Sequence, residues 1–366
     1  MVVLHIANID ASILGGVQVA VPAMVRAQSA YAQVALLNTH GEELNGIKTL
    51  TLDGEFDLSS LEAPFNSPDI VVFHEIYRIE FIKIYKKLKT AGVPYIIIPH
   101  GGFNKRAQHS KRLKKTVANL LLFNKYIYSA QAVQYLSAAE AEGSVYKKVK
   151  SFICSNGIFM PNTVKESFLE GGLKFVYVGR LQILYKGFDM LIPALAEIKE
   201  LLREHNCQFY IYGPADPDCD VILKLISDGG LEDLVFLCDK VVGDDKRDVL
   251  LGADYFIQTS RCEGMPMGIL EALSYGLPCI VTEGTGLSGI ISEYGAGYSA
   301  KTSEEGIKKA VVRAIEERDG IKTLSENARK LAEDRFDLSS VAKDALEHYG
   351  NIADNFKDKR CLIVSV

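Results

Sequence analysis

Residues 259–285 read TSRCEGMPMGILEALSYGLPCIVTEGT, a pattern that predicts a loop, then a helix, then a short apolar strand. Glu263 lies just outside the predicted helix, and Glu271 lies two turns into it, eight residues further along. A helix start binds anions, because its first amides lack partners and its dipole is positive there. A polyhydroxyl group joined to a phosphate would suit the carboxylates and the amides together. The segment therefore points to a nucleotide or a sugar phosphate as ligand.

Strands and helices alternate on the N-terminal side of this segment. In the first half we predict strands at VVLHIANI, YAQVALLN, DIVVFH and PYIIIPH, and after a polar break the pattern restarts at KFVYVGRL. Continuously apolar strands separated by helices indicate parallel sheets that are covered on both faces. The sequence thus predicts an α/β protein with two doubly wound, Rossmann-like domains facing a cleft. We place them at residues 1–160 and 161–335, followed by a helical segment at 336–366.

The composition narrows the class of protein. With 366 residues, of which 48% are hydrophobic and 24% charged, the chain fits two ordinary globular domains. Its seven cysteines include no CxxC pair, which argues against a disulfide framework or a zinc cluster and predicts a cytoplasmic protein. The start MVVLHIANID alternates like a first strand instead of a leader peptide, and no apolar run reaches membrane-spanning length. The net charge of -5 argues against a nucleic-acid partner.

The segment at residues 103–125 departs from this acidic average. Between Phe103 and Lys150 there are ten basic residues and two acidic ones. Within this region, KRAQHSKRLKKTVANLLLF places cations before an apolar run, a pattern typical of a helix that lies on an anionic membrane or faces an anionic partner. A solvated helix with one side in the core would give the same pattern. Two readings follow for 103–125, a peripheral membrane contact and an ordinary surface helix.

Two loops of the first domain carry candidate ligand-binding residues. Gly15 and Gly16 follow the first strand and precede a helix, where glycines let the backbone approach a ligand closely. His100 follows a later strand in the sequence PHGG, at the edge where parallel sheets bind ligands. A lone histidine is more often structural than catalytic, so the spacing alone leaves its role open.

Arg180 and Lys186 lie six residues apart in a predicted strand-to-helix loop of the second domain. Arginine offers a planar fork and lysine a point charge, so together they can clamp a diphosphate. A surface salt bridge is the alternative for either residue. Further on, GTGLSG at residues 284–289 matches GxGxxG formally. Because it follows a late strand of its domain, a glycine turn explains it as well as a dinucleotide site does.

Glu263 and Glu271 could also suggest the carboxylate pair of a glycosidase. That chemistry requires two carboxyl groups that flank one bond, whereas Glu271 is expected to point along its helix. No GxSxG, HExxH or P-loop motif occurs in the sequence. The first domain has no Asp-x-Asp at a strand end, so no metal site is predicted.

Taken together, these motifs resemble the retaining glycosyltransferases of family 4, which have the GT-B fold. The resemblance rests on EGMPMGILEALSYGLPCIV and GRLQILYKGFDMLIPAL in the second domain, and on the Gly15-Gly16 loop, PHG at 99–101 and SNG at 155–157 in the first. It implies that the C-terminal domain binds a nucleotide-sugar donor and that the N-terminal domain binds an acceptor. It also implies that the last helix, near residues 338–356, crosses back onto the first domain.

The resemblance further implies a role for each matched residue. Arg180 and Lys186 would hold the donor diphosphate and stabilise the departing nucleotide, and Gly16, next to Gly15, would let its loop close on the same phosphates. Glu271 would accept hydrogen bonds from the ribose, and Glu263 would contact the transferred sugar. His100 would lie near the reacting carbon and the acceptor. The backbone that would support the phosphate or the sugar belongs to Gly264, Met265, Pro266, Met267 and Gly268.

By this resemblance we expect front-side transfer without a protein nucleophile, a metal or another cofactor, so that orientation and charge stabilisation carry catalysis. The expected donor is a UDP-sugar rather than a GDP-sugar, and the expected acceptor is a saccharide or lipid-linked saccharide in bacterial surface polysaccharide biosynthesis. Rival readings are a sugar-nucleotide epimerase or hydrolase of the same fold, and a non-catalytic relative. Family members often have an acidic residue in place of Gly289 and a glycine in place of Cys238, which leaves the base and sugar preference open.

Overall fold

The structure is a computed structural model, and it describes residues 1–13, 15–52, 54–109, 116–168 and 171–364. The chain divides into two compact units, one formed by Met1–Gly157 with Leu338–Val366 and one by Ile158–Asp337. Each unit has its own parallel sheet and its own hydrophobic core. Among the helices of the described residues, none combines the length and the apolar character needed to cross a membrane.

Seven strands form the sheet of the first unit. They are β1 (Val2–Ala7), β2 (Gln33–Asn38), β3 (Thr49–Leu50), β4 (Ile70–His74), β5 (Tyr95–Ile98), β6 (Ala132–Tyr135) and β7 (Ser151–Ile153). Their order is β3-β2-β1-β4-β5-β6-β7, and every neighbouring pair is parallel. The central strand β4 is buried at every position, as expected for a strand covered on both faces.

The helices of the first unit come from both ends of the chain. They are α1 (Gly16–Gln28), α2 (Ile79–Ala91), α3 (Lys105–His109), a π-helical segment at Asn119–Phe123, α4 (Asn124–Tyr128), α5 (Ala138–Gly143) and the C-terminal helix Leu338–Val364. The C-terminal helix packs on α1, and its buried Tyr349 donates a hydrogen bond to Gln134 Oε1 in β6 at 2.8 Å. The predicted return of the last helix to the first domain is confirmed.

The second unit has a six-stranded sheet. Its strands are β8 (Leu173–Val178), β9 (Cys207–Tyr212), β10 (Val235–Cys238), β11 (Tyr255–Gln258), β12 (Cys279–Thr282) and β13 (Gly297–Ala300). The order β10-β9-β8-β11-β12-β13 repeats the order of the first six strands of the first unit, and all pairs are again parallel. The prediction of two doubly wound sheets is confirmed.

Nine α-helices of the described residues accompany this second sheet. They are α6 (Ile183–Lys186), α7 (Phe188–Glu197), α8 (Lys199–Glu204), α9 (Cys219–Gly229), α10 (Gly243–Leu251), α11 (Met267–Ser274), α12 (Ser288–Tyr294), α13 (Glu304–Glu316) and α14 (Ile321–Phe336). Because β8 and β11 are neighbours, the loops that follow them leave the sheet at the same edge. One loop carries Arg180 and leads to Lys186, and the other carries Glu263, so the fold gathers residues that are distant in sequence.

Candidate active site

Glu263 lies in the loop between β11 and α11, and its carboxylate accepts hydrogen bonds from residues that follow β8 and from residues at the end of β11. Its Oε1 accepts hydrogen bonds from Lys186 Nζ at 2.5 Å and from Ser260 Oγ at 2.8 Å, with Gln258 Nε2 at 3.3 Å. The Lys186 and Glu263 side chains keep 12% and 18% of their area exposed. The pair is therefore neutral overall, well oriented, and still open to a ligand on one side.

Gly187 allows the loop of Lys186 to lie directly against the loop of Glu263. Its φ of +76° is left-handed, and a Cβ at this position would lie 2.2 Å from the carbonyl oxygen of Thr259. Thr259 Oγ1 in turn donates a hydrogen bond to the carbonyl of Lys186 at 3.0 Å. Only glycine combines this backbone conformation with this close approach. Gly187 therefore fixes the backbone position from which the Lys186 side chain extends.

Two further contacts hold the Glu263 loop. Arg261 forms a bidentate ion pair with Asp189 at the start of α7, with distances of 2.5 and 2.8 Å. The amide of Glu263 donates to the carbonyl of Gly284 at 2.9 Å, and a Cβ at Gly284 would lie 2.2 Å from the carbonyl oxygen of Ser260. The first glycine of the GxGxxG match thus supports this loop, which favours the glycine-turn reading over a dinucleotide site.

Glu271 holds a second ion pair, with Lys246. Glu271 lies in the second turn of α11, and Lys246 lies on α10, the helix that follows β10. Their charged groups are in direct contact, and the side chains keep 20% and 26% of their area exposed. The two glutamates therefore hold separate cations. The sequence analysis did not predict Lys246, because only the packing of α10 beside α11 links it to the motif.

The start of α11 lies between these two glutamates in the sequence and lacks a cap of its own. Its N-cap residue Pro266 offers no side-chain acceptor, and no acidic residue occupies the first turn. Uncapped first-turn amides suit an anionic ligand. Pro266 itself has no amide hydrogen to give, and Met265 and Met267 are each only 7% exposed. Of the five predicted backbone positions, Pro266 can therefore shape the turn but cannot donate a hydrogen bond.

Arg180 lies two residues beyond β8, and its side chain is exposed. Within the described residues the guanidinium makes no ion pair, in contrast to Lys186. Its backbone carbonyl accepts a hydrogen bond from the buried Tyr177 hydroxyl at 2.7 Å. Burial raises the pKa of Tyr177, the charge of Glu263 raises it further, and Arg180 opposes both. The structure thus joins Lys186 with Glu263 and leaves the Arg180 fork available.

In the first unit, the loop after β5 holds His100 in an unusual conformation. His100 has a φ of +48°, which is uncommon for a residue with a side chain. The next amide, of Gly101, donates to Glu140 Oε1 at 2.5 Å, and Glu140 Oε2 accepts from the amide of Leu136 at 2.7 Å. Burial raises the pKa of Glu140, and these two hydrogen bonds oppose the rise. The sequence analysis missed Glu140, whose role depends on α5 packing beside the loop.

The His100 ring is one of three histidine rings in a row, with His5 inside β1 and His74 at the end of β4. His100 Nε2 lies 3.0 Å from His74 Nδ1, and His74 Nε2 lies 2.8 Å from His5 Nδ1. His5 Nε2 lies 2.7 Å from the amide oxygen of Gln28. Burial lowers the pKa of His5 and of His100 to about 4, and it lowers the pKa of His74 as well. All three rings are therefore neutral at pH 7.

Gly15 and Gly16 lie where the sequence predicts a helix start. Gly15 is the N-cap of α1 with an extended backbone, and Gly16 is the first residue of the helix, with no side-chain cap. Leu14, which precedes them, lies outside the described residues. Both glycines belong to the first unit, and their predicted approach to the donor phosphates stays a prediction.

A group of possible metal ligands also lies in the first unit. Asp10, His40 and Glu42 have ligand atoms within 4.8 Å of one another, and His40 Nε2 lies 3.4 Å from Glu42 Oε1. All three side chains are at least partly exposed, and exposed acidic groups commonly cluster in this way without a metal.

The basic segment presents apolar side chains to the solvent. Val117, Leu120 and Leu121 are exposed to 57%, 75% and 72%, whereas Phe123 is buried. Residues 110–115, with four of the predicted cations, lie outside the described residues. Leu120 and Leu121 therefore do not face the core, whereas Phe103 and Phe123 of the same segment are buried in it.

Comparison with known proteins shows similarity between the second unit and a known family. Residues 161–331 match the model of the family described as Glycosyl transferases group 1. The GDP-mannose:cellobiosyl-diphosphopolyprenol alpha-mannosyltransferase of Xanthomonas oryzae pv. oryzae (strain PXO99A) is 26% identical over 238 residues, which cover 63% of this chain and 60% of that protein. The chain thus spans only part of the length of the curated relatives it matches.

Two solved structures share the fold over nearly the whole chain. Sucrose-phosphate synthase from Thermosynechococcus elongatus has a TM-score of 0.74 at 16% identity, covering 96% of this chain and 99% of that one. The Anabaena protein HepE, in complex with UDP and glucose, has a TM-score of 0.70 at 18% identity, covering 96% and 100%. The chain has the GT-B fold, and its residues 161–331 are similar to the group 1 glycosyl transferases.

Proposed function

We propose that this chain is a retaining glycosyltransferase of family 4, which moves a hexosyl group from a nucleotide sugar to a saccharide or lipid-linked saccharide. The observation that carries the proposal is the Lys186–Glu263 pair beside the uncapped start of α11. A cation, a carboxylate and open helix amides on one sheet edge suit a diphosphate joined to a sugar. The second unit is accordingly the donor-binding domain and the first unit the acceptor-binding domain.

Each ion pair in the donor site has a ligand group that suits it. Lys186 uses one of its three N–H donors on Glu263 and keeps others for a diphosphate, which the exposed fork of Arg180 would also bind. Glu271, held by Lys246, accepts hydrogen bonds from the ribose hydroxyls. Glu263 contacts the transferred sugar, and the amides of Gly264, Met267 and Gly268 support the phosphate. The proposal also keeps Gly15 and Gly16 of the first unit as candidate phosphate-binding residues.

The reaction is a front-side displacement in which the configuration of the sugar carbon is retained. The bond from the anomeric carbon to the diphosphate oxygen breaks, and a bond from that carbon to the acceptor oxygen forms on the same face. The acceptor proton passes to the departing phosphate oxygen, so no protein nucleophile takes part. Lys186 and Arg180 stabilise the negative charge that grows on the leaving group, and the two domains orient the reactants. No cofactor is needed beyond the donor.

UDP is the proposed nucleotide, in preference to GDP. The HepE structure, which contains UDP and glucose, supports this choice, whereas the name of the Xanthomonas relative specifies GDP-mannose. That relative also acts on a diphosphopolyprenol-linked sugar, which supports a lipid-linked acceptor and a role in surface polysaccharide biosynthesis. The proposed location is the cytoplasm, at the inner face of the membrane.

Product analysis tests the proposed activity. UDP- and GDP-sugars are supplied with and without saccharide acceptors, and we expect transfer with retained anomeric configuration only when acceptor is present. Glu271→Ala removes charge-assisted hydrogen bonds to the ribose and should raise the donor KM about 10-fold or more. The matched control Glu316→Ala changes an exposed glutamate of α13 and should behave as wild type. Equal donor consumption without acceptor would overturn transfer and indicate a hydrolase or epimerase.

A membrane contact of residues 103–125 is the finer part of the proposal. The exposed Leu120 and Leu121 beside a cationic run supply the apolar and the electrostatic components of such binding. We expect co-sedimentation with phosphatidylglycerol vesicles that weakens with salt, and a loss of about 10-fold or more in the double variant Leu120→Ser, Leu121→Ser. The control is Leu223→Ser on α9, a leucine that is 50% exposed. Vesicle binding that does not change with salt concentration, or binding of the double variant equal to that of the wild type, would refute the contact.

A further inference from the structure

A chain of side-chain hydrogen bonds runs through the first unit, starting at His100. It passes through His74 and His5 to Gln28. Tyr349 of the C-terminal helix lies beside it, with its ring centroid 6.3 Å from that of His5, and begins a second set of bonds to β6. Tyr349 Oη donates to Gln134 Oε1 at 2.8 Å, and Gln134 Nε2 donates to the carbonyl oxygen of Cys154 at 3.0 Å. The members that are buried almost completely are His5, His74, Gln28, Gln134 and Tyr349.

The Gln28 end of this chain gives the bonds between the rings a direction, because the Gln28 oxygen faces His5 Nε2. The carbonyl of Cys154 can only accept, so Gln134 must present its nitrogen there and its oxygen to Tyr349. The hydroxyl of Tyr349 therefore donates its hydrogen to Gln134 Oε1. Gln28 places its oxygen Oε1 2.7 Å from His5 Nε2, and its nitrogen Nε2 is buried without a hydrogen-bond partner among the described residues.

The direction of these bonds selects one tautomer for each histidine. Because the Gln28 oxygen can only accept, His5 carries its hydrogen on Nε2 and accepts on Nδ1. His74 then donates through Nε2 and accepts through Nδ1, and His100 donates through Nε2. A neutral imidazole has one N–H. The Nδ1 of the partly exposed His100 is thus a lone pair, and among the described residues it has no hydrogen-bond partner.

The backbone beside this chain is held in strained conformations. Glu75 and His100 follow β4 and β5, which are neighbouring strands, and both have left-handed φ values of +70° and +48°. Such residues persist where the surrounding structure imposes them, and they cluster at functional sites. Glu140 fixes the His100 loop from the other side through the Gly101 amide. The ring of His100 is therefore constrained by its backbone as well as by His74.

We propose that His74, His5 and Gln28 are positioning residues that fix His100 as its Nε2–H tautomer, so that Nδ1 accepts a hydrogen bond from a sugar hydroxyl of the acceptor. This inference rests on the proposed function. A lone pair attracts a donor and repels an anionic oxygen, so His100 faces a neutral hydroxyl of the acceptor and not a phosphate. His100 orients that hydroxyl, and the acceptor proton still leaves on the departing diphosphate.

Nitrogen-15 NMR of the histidine rings in the full chain tests the tautomer directly. At pH 7 we expect His100 of the wild type to show only the Nε2–H form. His74→Leu removes the acceptor and should give a mixture of tautomers. His74→Asn has nearly the same shape and returns an oxygen near the position of Nδ1, so it should restore the Nε2–H form. An Nδ1–H form or a charged ring in the wild type would overturn the proposal.

Kinetics with the same variants separates positioning from general damage. His74→Leu should raise the acceptor KM about 10-fold, the value of one hydrogen bond, with unchanged affinity for UDP, whereas His74→Asn should be close to wild type. Gln28→Leu leaves the His74–His100 contact in place and should still mix the tautomers of His100, which keeps the test valid if His74→Leu does not fold. Equal acceptor KM values for His74→Leu and His74→Asn would overturn the proposal. A protein that transfers no sugar but shows the predicted tautomers would refute the proposed function alone.

Discussion

The two sheets of this protein have the same strand order but carry opposite chemistry at their functional edges. In the second unit, Lys186–Glu263 and Lys246–Glu271 are ion pairs whose side chains stay partly exposed. In the first unit, His5 is a neutral and completely buried ring, and hydrogen bonds connect it to His74 and then to His100 at the edge of the sheet. One edge carries charged side chains. The other carries the lone pair of His100 Nδ1, which a chain of neutral, hydrogen-bonded histidine rings orients.

This difference teaches that the sheet supplies a place and the side chains supply the function. A diphosphate requires cations and free amides, and partly exposed ion pairs can exchange partners with it. A hydroxyl group requires an oriented neutral acceptor, and burial provides neutrality by lowering the histidine pKa values. The comparison therefore supports the proposal that the charged edge binds the donor and that the neutral edge orients the acceptor.

Of the effects that test this difference between the edges, we expect the largest in the dependence of the free energy of unfolding on pH. The unfolded chain protonates His5 below its ordinary pKa of 6.5, whereas in the folded chain burial lowers the pKa to about 4. The unfolded state then binds more protons, so the free energy of unfolding falls as the pH drops from 6.5 to 4, by up to about 3 kcal/mol for this group. Denaturant titrations at several pH values measure it.

Two variants assign this acid sensitivity to the buried chain. His5→Gln should flatten the dependence of unfolding free energy on pH between 6.5 and 4, because it removes one titrating ring. His348→Gln, which changes an exposed histidine of the same unit, should keep the wild-type dependence. Equal slopes in all three proteins would contradict a neutral chain in the first unit and would break the contrast between the two edges.

Sequence reasoning predicted the charged edge far better than the neutral one. Glu263 and Glu271 fall within one loop and one helix, so their spacing already locates them around a helix start. Lys186 could be predicted from the sequence, because it follows β8, the strand at which the alternation of strands and helices restarts. Lys246, however, meets Glu271 only through the packing of α10, which no local pattern shows.

The neutral chain could not be predicted, because its members are far apart in sequence. His5 and His74 end up adjacent only because β1 and β4 are neighbours in the sheet. Of the three histidines, the sequence analysis singled out only His100, through its place after a strand and before two glycines. The same limit applies to Glu140, which supports the His100 loop from α5.

The most direct test of the division between the edges is calorimetric titration of UDP into the wild type, Lys186→Ala and His100→Ala. The account predicts that Lys186→Ala weakens UDP binding about 10- to 100-fold, the value of a charge-assisted hydrogen bond, and that His100→Ala binds UDP as the wild type does. Unchanged affinity in Lys186→Ala, or an equal loss in His100→Ala, would contradict it.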